Sequence, residues 1–215
     1  MIATLPFAAY LSEGEKQMLS SDVRIVSYDK GDLIHHHDGN CLGILQVLSG
    51  RVSVSILSDE GREVVLYRLE RGEICVMSAA CVLRQITFDI HIEAETEARV
   101  LIVPAHTLSA LMRSNLRVEN YIYKSATERT SDIMWMLQQV LFTPVEKRIA
   151  EFLWSETARR GTDTLTLTHE QLAKYTGSAR EVVSRILKKF VQNGAVSLGR
   201  GTVIVTDKKY LRELI

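Results

Sequence analysis

Thr168-His169-Glu170-Gln171-Leu172-Ala173-Lys174-Tyr175-Thr176-Gly177 runs directly into Ser178-Ala179-Arg180-Glu181-Val182-Val183-Ser184-Arg185-Ile186-Leu187-Lys188-Lys189-Phe190, and the reading of this stretch decides the fold. Each half opens with a hydroxyl residue and carries Gln or Glu three positions later, the reciprocal pattern that satisfies orphan N–H groups at a helix start. Gly177 is placed to stop the first helix. In the second, Val182, Val183, Ile186, Leu187 and Phe190 form an apolar stripe that faces inward, which leaves Arg180, Glu181, Ser184, Arg185 and Lys188 on the polar face. Two short capped helices joined by a glycine turn predict a helix-turn-helix, whose second helix enters the major groove by its N-terminal end.

The side chains on that face suit base edges. An Arg fork matches O6 and N7 of guanine, and a Glu carboxylate accepts from N4 of cytosine. Lys188, Lys189 and Lys174 are expected to neutralise phosphates, which adds affinity without sequence information. Downstream of Gly194, Ala195-Val196-Ser197-Leu198 and Thr202-Val203-Ile204-Val205 bracket Gly199-Arg200-Gly201, which predicts a two-stranded wing. Thr168, Ser178 and Arg200 complete the candidate DNA-contacting set. A small helical domain with merely solvated charges is the plain alternative, and the order of capped helices, turn and glycine-tipped hairpin argues against it.

Upstream, Thr143-Pro144-Val145-Glu146 offers an N-cap hydroxyl, a proline at the first helical position and a Glu at the third, so a helix restarts there after a hinge at Phe142-Thr143. The division also shows in the charges. Residues 1–143 hold 13 basic and 18 acidic side chains, residues 144–215 hold 13 and 8, and the net charge of zero is a cancellation between an acidic and a basic part. Between His106 and Leu141 no Gly or Pro occurs, which predicts one long helix with a shorter one before it. Val118, Ile122, Ser125 and Met136 fall near the spacing of a helix seam, and we assign them to a dimer contact; packing of this helix on the preceding domain accounts equally well for the period.

From Val23 to Pro104, short alternating segments are punctuated by Gly31, Gly39, Gly43, Gly50, Gly61 and Gly72. Val52, Val54 and Ile56 are expected on one strand face, Phe88, Ile90 and Ile92 on another, with a hairpin turn at Asp59-Glu60-Gly61. The fold class is therefore α+β: residues 1–105 a mainly β domain of sandwich, jelly-roll or small-barrel type, 106–143 the long helix and hinge, 144–215 a winged helix-turn-helix. At 46% hydrophobic and 24% charged residues, the composition excludes a disordered or collagen-like chain. No long apolar run and no signal-peptide pattern occur, so a soluble cytoplasmic protein without membrane contact is expected. Cys41, Cys75 and Cys81 are odd in number and lack C-x-x-C spacing, so reduced thiols are expected and a structural zinc site is not.

Gly177-Ser178-Ala179-Arg180-Glu181-Val182-Val183-Ser184-Arg185-Ile186-Leu187 resembles the recognition-helix signature of the Crp/Fnr family of transcription regulators. The resemblance makes residues 1–105 a cupin-like β-roll, and the family's order extends over the whole chain, through that β-roll, the Gly72-Glu73 pair, the long helix and Val145-Glu146-Lys147-Arg148-Ile149-Ala150 at the hinge. The resemblance implies a homodimer on an inverted-repeat operator in double-stranded DNA, RNA polymerase as a further partner, and Arg180, Glu181 and Arg185 as base readers with Ser184 in support. Arg180 favours the TGTGA-type half-site of nucleotide-activated relatives over the TTGAT of oxygen-sensing ones.

The resemblance also invites cyclic AMP, and the sequence argues against it. The Arg-Ser or Arg-Thr segment that clamps the cyclic phosphate in relatives aligns with Phe88-Asp89, so a carboxylate stands where a guanidinium is needed; Arg84 or a shifted alignment is the one rescue. Three cysteines, none before Cys41, do not supply a four-thiolate iron–sulfur site. The candidate effector pocket is Glu73, Cys75, Met77, Cys81, Arg84 and Asp89, and its effector a small molecule or a redox signal. Haem, ligated by Cys75, Met77 or His91, and redox-active thiols are the candidate cofactors; two small buried cysteines are the plain alternative. His35-His36-His37 invites a metal-dependent cupin-type enzyme, but Asp38 follows directly and no second motif is present, so neither a metal site nor an enzyme is expected.

Overall fold

The computed structural model describes residues 2–35, 41–83 and 89–215. An N-terminal helix that the sequence reading did not anticipate, α1 (Glu13–Asp22), is held by a full capping box: the Ser12 hydroxyl accepts from the Glu15 N–H, and the Glu15 carboxylate accepts from the Ser12 N–H at 2.8 Å. Among the described residues, eight strands follow: β1 (Arg24–Tyr28), β2 (Leu33–His35), β3 (Ile44–Ser49), β4 (Val52–Leu57), β5 (Glu63–Leu69), β6 (Ile74–Cys75), β7 (His91–Ala94) and β8 (Ala98–Val103). They make two four-stranded sheets, ordered β1-β8-β3-β6 and β2-β7-β4-β5. Register is fixed by apolar partners such as Ile25 opposite Leu101 and Val54 opposite Ile92.

Strand β4 departs from simple alternation. Val52 and Val54 are fully buried as expected, but Ser53 and Ser55 are buried too, and Ile56, beyond the last residue paired with β7, is exposed. The hairpin turn after it forms at Ser58–Arg62, where Gly61 takes φ +79° and its N–H donates to the Ser58 carbonyl at 2.9 Å. The face pairing proposed for Phe88 falls outside the described residues, as do Arg84, His36, His37 and Asp38. Ile90 and Ile92 are buried.

Helix α2 (Ala105–Ser114) and helix α3 (Leu116–Phe142) follow the strands. Asn115 separates them, its side-chain oxygen accepting from the N–H groups of Arg117 and Val118. Val118 and Ile122 are fully buried in one core with Ile44, Leu101, Val103, Leu108 and Leu111. This corrects their assignment to a dimer contact: the chain's own core occupies them, and the period recorded packing on the β-domain. Ser125 and Met136 are half-buried.

The expectation of three reduced thiols is also corrected. Cys41 and Cys81 form a disulfide, with Cα atoms 6.0 Å apart, and Cys75 alone is free. Local spacing carries no trace of this pair, because the bridge joins positions 40 residues apart.

By compactness, residues 1–57 and 66–133 form one unit, and residues 58–65 and 134–215 a second. The second unit contains α4 (Val145–Arg160), β9 (Thr164–Thr166), α5 (His169–Thr176), α6 (Arg180–Gln192), β10 (Val196–Gly199), β11 (Thr202–Val205) and α7 (Lys208–Leu214). The wing is three-stranded, in the order β10-β11-β9, because Val203 and Ile204 also pair with Leu165 and Thr164. Leu165, Leu172, Val183, Leu187, Phe190, Val203 and Leu211 close its core, each fully or almost fully buried. Side chains of this kind contribute about 1.5–3 kcal/mol apiece when taken out of water.

Candidate nucleic-acid interface

The two helices of the motif are set by their ends. On α5 the Thr168 hydroxyl accepts from the Gln171 N–H at 3.1 Å, and the Gln171 side chain accepts from the Thr168 N–H at 2.8 Å. Gly177 ends α5 at φ +56°, and a Cβ there would come within 2.8 Å of Val140 Cγ2, so both conformation and space demand glycine. The box expected at Ser178 does not form. Ala179 is the N-cap of α6 and offers no side-chain acceptor, because the helix begins one position later than Ser178 would need. The first N–H groups of α6 are thus left for solvent or a phosphate.

Val183, Leu187 and Phe190 bury one face of α6. On the other, Arg180, Glu181, Arg185 and Lys188 are exposed and Ser184 is half-buried; together with Lys189 and Gln192 they line one open groove. Among the described residues, no ion pair engages Arg180, Glu181, Arg185, Lys188 or the exposed Arg200. A second depression is bounded by Thr168, His169 and Glu170 at the start of α5, by Arg180, and by Gly199, Gly201 and Thr202 of the wing. His169 is the member of this set that sequence reasoning passed over.

Two of the expected phosphate ligands are otherwise engaged. Lys189 pairs with Glu146 of α4 at 2.8 Å, which holds its pKa above the ordinary value, and Lys174 pairs with Glu63 at 2.5 Å.

Residues 147–214 match the model of the Crp-like helix-turn-helix domain, and residues 25–115 that of the cyclic nucleotide-binding domain. A solved structure described as a transcriptional regulator of the crp/fnr family from Eubacterium rectale is 38% identical, with a TM-score of 0.94 over 99% of this chain and 98% of that one. The chain belongs to the Crp/Fnr family. Like other Crp/Fnr proteins it is a DNA-binding transcription regulator. The HTH-type transcriptional regulator Cmr of Mycobacterium tuberculosis is 22% identical over 205 residues, covering 95% of this chain and 82% of the relative. The c-di-GMP responsive regulator CLP of Xanthomonas campestris shares the fold, at 20% identity and a TM-score of 0.74 over 91% of this chain and all of that one. No helix among the described residues is long and apolar enough to cross a membrane.

The hinge of this Crp/Fnr protein is built differently from its sequence pattern. Pro144 is the N-cap of α4 and makes no side-chain bond, while the Thr143 hydroxyl lies 2.8 Å from the Gln139 side-chain oxygen, so the expected capping box is absent. Instead the buried Arg148 reaches back from α4 and donates to the Gln139 carbonyl near the end of α3 at 3.4 Å. Burial pulls its pKa below the ordinary arginine range.

On the sensor side, Glu73 is half-buried and accepts from Arg129 of α3 at 3.0 Å. Burial opposes the charge on Arg129, but the hydrogen bond and charge of Glu73 outweigh it and hold its pKa above the ordinary value. The Arg129 guanidinium also lies 5.1 Å from the centre of the Tyr67 ring. Cys75 is fully buried with the Tyr67 hydroxyl 3.6 Å from its sulfur, and burial pushes both groups up toward their neutral forms. Met77 is 2% exposed, whereas Cys81 and Asp89 lie at the surface. Tyr67 and Arg129 were not singled out from the sequence; an Arg breaking an otherwise apolar helix period was the available signal. No group of His, Cys, Asp and Glu fit to hold a metal occurs among the described residues.

Proposed function

We propose that this regulator is a cytoplasmic homodimer that reads an inverted-repeat operator with Arg180, Glu181 and Arg185, and whose β-roll domain controls that reading through an effector. The single observation that carries the proposal is the face of α6: three guanidinium or carboxylate groups stand exposed and without ion pairs above a fully packed opposite face. Such groups meet a base edge without first breaking a bond of their own. Ser184 supports them, Lys188 and Arg200 meet phosphates, the N-terminus of α6 favours phosphate by its N–H groups, and the hydroxyls of Thr168 and Ser178 complete the contact set.

A sensor at residues 1–105, a connecting helix and hinge at 106–143 and a reader at 144–215 is the functional division we adopt. The dimer seam follows the side chains that α3 leaves exposed. Met134, Leu137 and Leu141 are 53%, 40% and 64% exposed. With Thr127 and Thr130 before them they repeat at intervals of three and four, the spacing of a paired-helix seam.

The effector site lies around Glu73, Cys75, Met77 and Cys81, and cyclic AMP is not its ligand. Asp89 places a carboxylate in the aligned phosphate-clamp segment, and Glu73 is already bound by Arg129. Control is a population shift: an effector changes operator affinity by as much as its own affinities for the two arrangements differ.

Selection from a random DNA pool with the full-length protein tests this reading. Enrichment of a TGTGA-type inverted repeat, altered when Arg180→Ala is used, is the expected outcome; enriched sites without palindromy, or unchanged in the variant, would refute it.

A further inference from the structure

We propose that the Cys41–Cys81 disulfide is a reversible thiol–disulfide site of the sensor domain, opened at Cys81 by a small thiol that carries both carboxylate and ammonium groups. The idea rests on the DNA-binding reading only for the compartment. A protein that works on bacterial DNA does so among reduced thiols, where a disulfide is ordinarily transient, catalytic or sensing. The three cysteines are not equivalent toward such chemistry. Cys75 is fully buried and burial keeps it a neutral thiol, whereas the bridge is open to solvent at Cys81 and half-buried at Cys41.

Beside Cys81 lies a cleft of about 490 Å³. Its walls carry His106 and Arg113 from α2 and Glu119 and Tyr123 from α3, so a carboxylate has a cation to meet and an ammonium has an anion. Arg113 is exposed and, among the described residues, has no ion pair. A short cysteine-containing peptide or amino-acid thiol seated there presents its sulfur to Cys81 Sγ.

The exchange balances without any further reagent. The incoming thiolate attacks Cys81 Sγ, an S–S bond forms between them, and the Cys41–Cys81 bond breaks with its electron pair going to Cys41. Cys41 takes up a proton and finds the Ser78 carbonyl oxygen 3.9 Å away as an acceptor. A second thiolate then attacks the external sulfur of the mixed disulfide, which releases the oxidised small thiol and leaves Cys81 as a thiol. Two small thiols are oxidised and one protein disulfide is reduced; the oxidised small thiol drives the reverse. The Ser78 hydroxyl, which donates to the carbonyls of Gly43 and Cys75 at 2.7 and 2.8 Å, ties this turn to the segment holding Cys75, so opening the bridge loosens the effector region from one side.

The test equilibrates full-length protein with mixtures of reduced and oxidised glutathione, quenches with an alkylating reagent, reads each cysteine by peptide mass spectrometry, and measures operator affinity on the same samples. We expect Cys41 and Cys81 to open together, an intermediate with glutathione on Cys81, and an operator affinity that changes along with them. Cys41→Ser and Cys81→Ser should each abolish the response. Arg113→Gln should slow exchange with glutathione severalfold while leaving exchange with neutral mercaptoethanol unchanged. A bridge that stays closed across the series, or opens without any change in operator affinity, overturns the sensing role. Equal rates with glutathione and mercaptoethanol in wild type and Arg113→Gln overturn the ligand class. Because the thiol readout needs no DNA, its failure is separable from failure of the operator reading.

Discussion

The recognition face of α6 and the surroundings of Gly72-Glu73 carry the same chemistry, an arginine near a glutamate, and treat it in opposite ways. On α6, Arg180, Glu181 and Arg185 are exposed and no ion pair engages them, whereas in the sensor Glu73 is bound to Arg129 at 3.0 Å and backed by Tyr67 and a buried Cys75. Water solvates the exposed charges, so leaving them unpaired costs little, and in the proposed reading a DNA base finds them ready. In the sensor a ligand reaching Glu73 must first replace Arg129. The exposed set of α6 therefore stands on a packed core, while Glu73 is already engaged by side chains of its own domain. On the proposed function, a domain in that condition responds to signals that break internal bonds.

The comparison can be broken most forcefully at the core under α6. Phe190→Ala should cost the second unit on the order of 3–5 kcal/mol of stability by chemical denaturation. A loss below 1 kcal/mol would show that this face is not the packed platform described. Next in size is the dimer seam: Leu137→Lys should raise the dimer dissociation constant about ten-fold or more, read as mass in solution. Val118→Ala, by contrast, should lower stability and leave the dimer intact. The reverse pattern would restore the first assignment of the contact.

A smaller effect separates two neighbouring lysines. Lys188→Ala should lower the salt slope of operator binding by about 1, and Lys189→Ala, whose charge Glu146 already meets, by clearly less. Equal slopes would show that DNA pulls Lys189 off Glu146. Smallest of all is the effect of cyclic AMP: calorimetry should detect no micromolar binding and operator affinity should not move. Tight binding would mean that Arg129 releases Glu73 readily and that Asp89 does not face the phosphate.

The reader was the more legible part, because its signals are local. Thr168 and Gln171 are three residues apart and cap each other as read, and Gly177 ends the helix. The one-residue errors came where a neighbouring residue took the role: Ala179 displaced Ser178 as the cap of α6, and Pro144 displaced Thr143 at α4. Strand β9 was missed because three residues joining an existing hairpin leave no periodic pattern. In the sensor, the decisive contacts link positions far apart in the chain: Cys41 with Cys81, Glu73 with Arg129, and Val118 with the β-strand core. The α3 period was real, but two apolar faces share that helix, and spacing alone did not say which was covered from within the chain.

The central claim is that exposed, unpaired side chains on α6 read individual bases, and it is tested most directly by a binding matrix. Wild type and the Arg180→Ala, Glu181→Ala and Arg185→Ala variants are measured against a selected operator and every symmetric single-base-pair change in its half-sites. Each variant should lose on the order of 1–3 kcal/mol on the preferred site and lose its preference at one base pair while keeping it at the others. A uniform loss across all sequences, with every base preference retained, would show that these residues hold phosphates and that bases are read elsewhere.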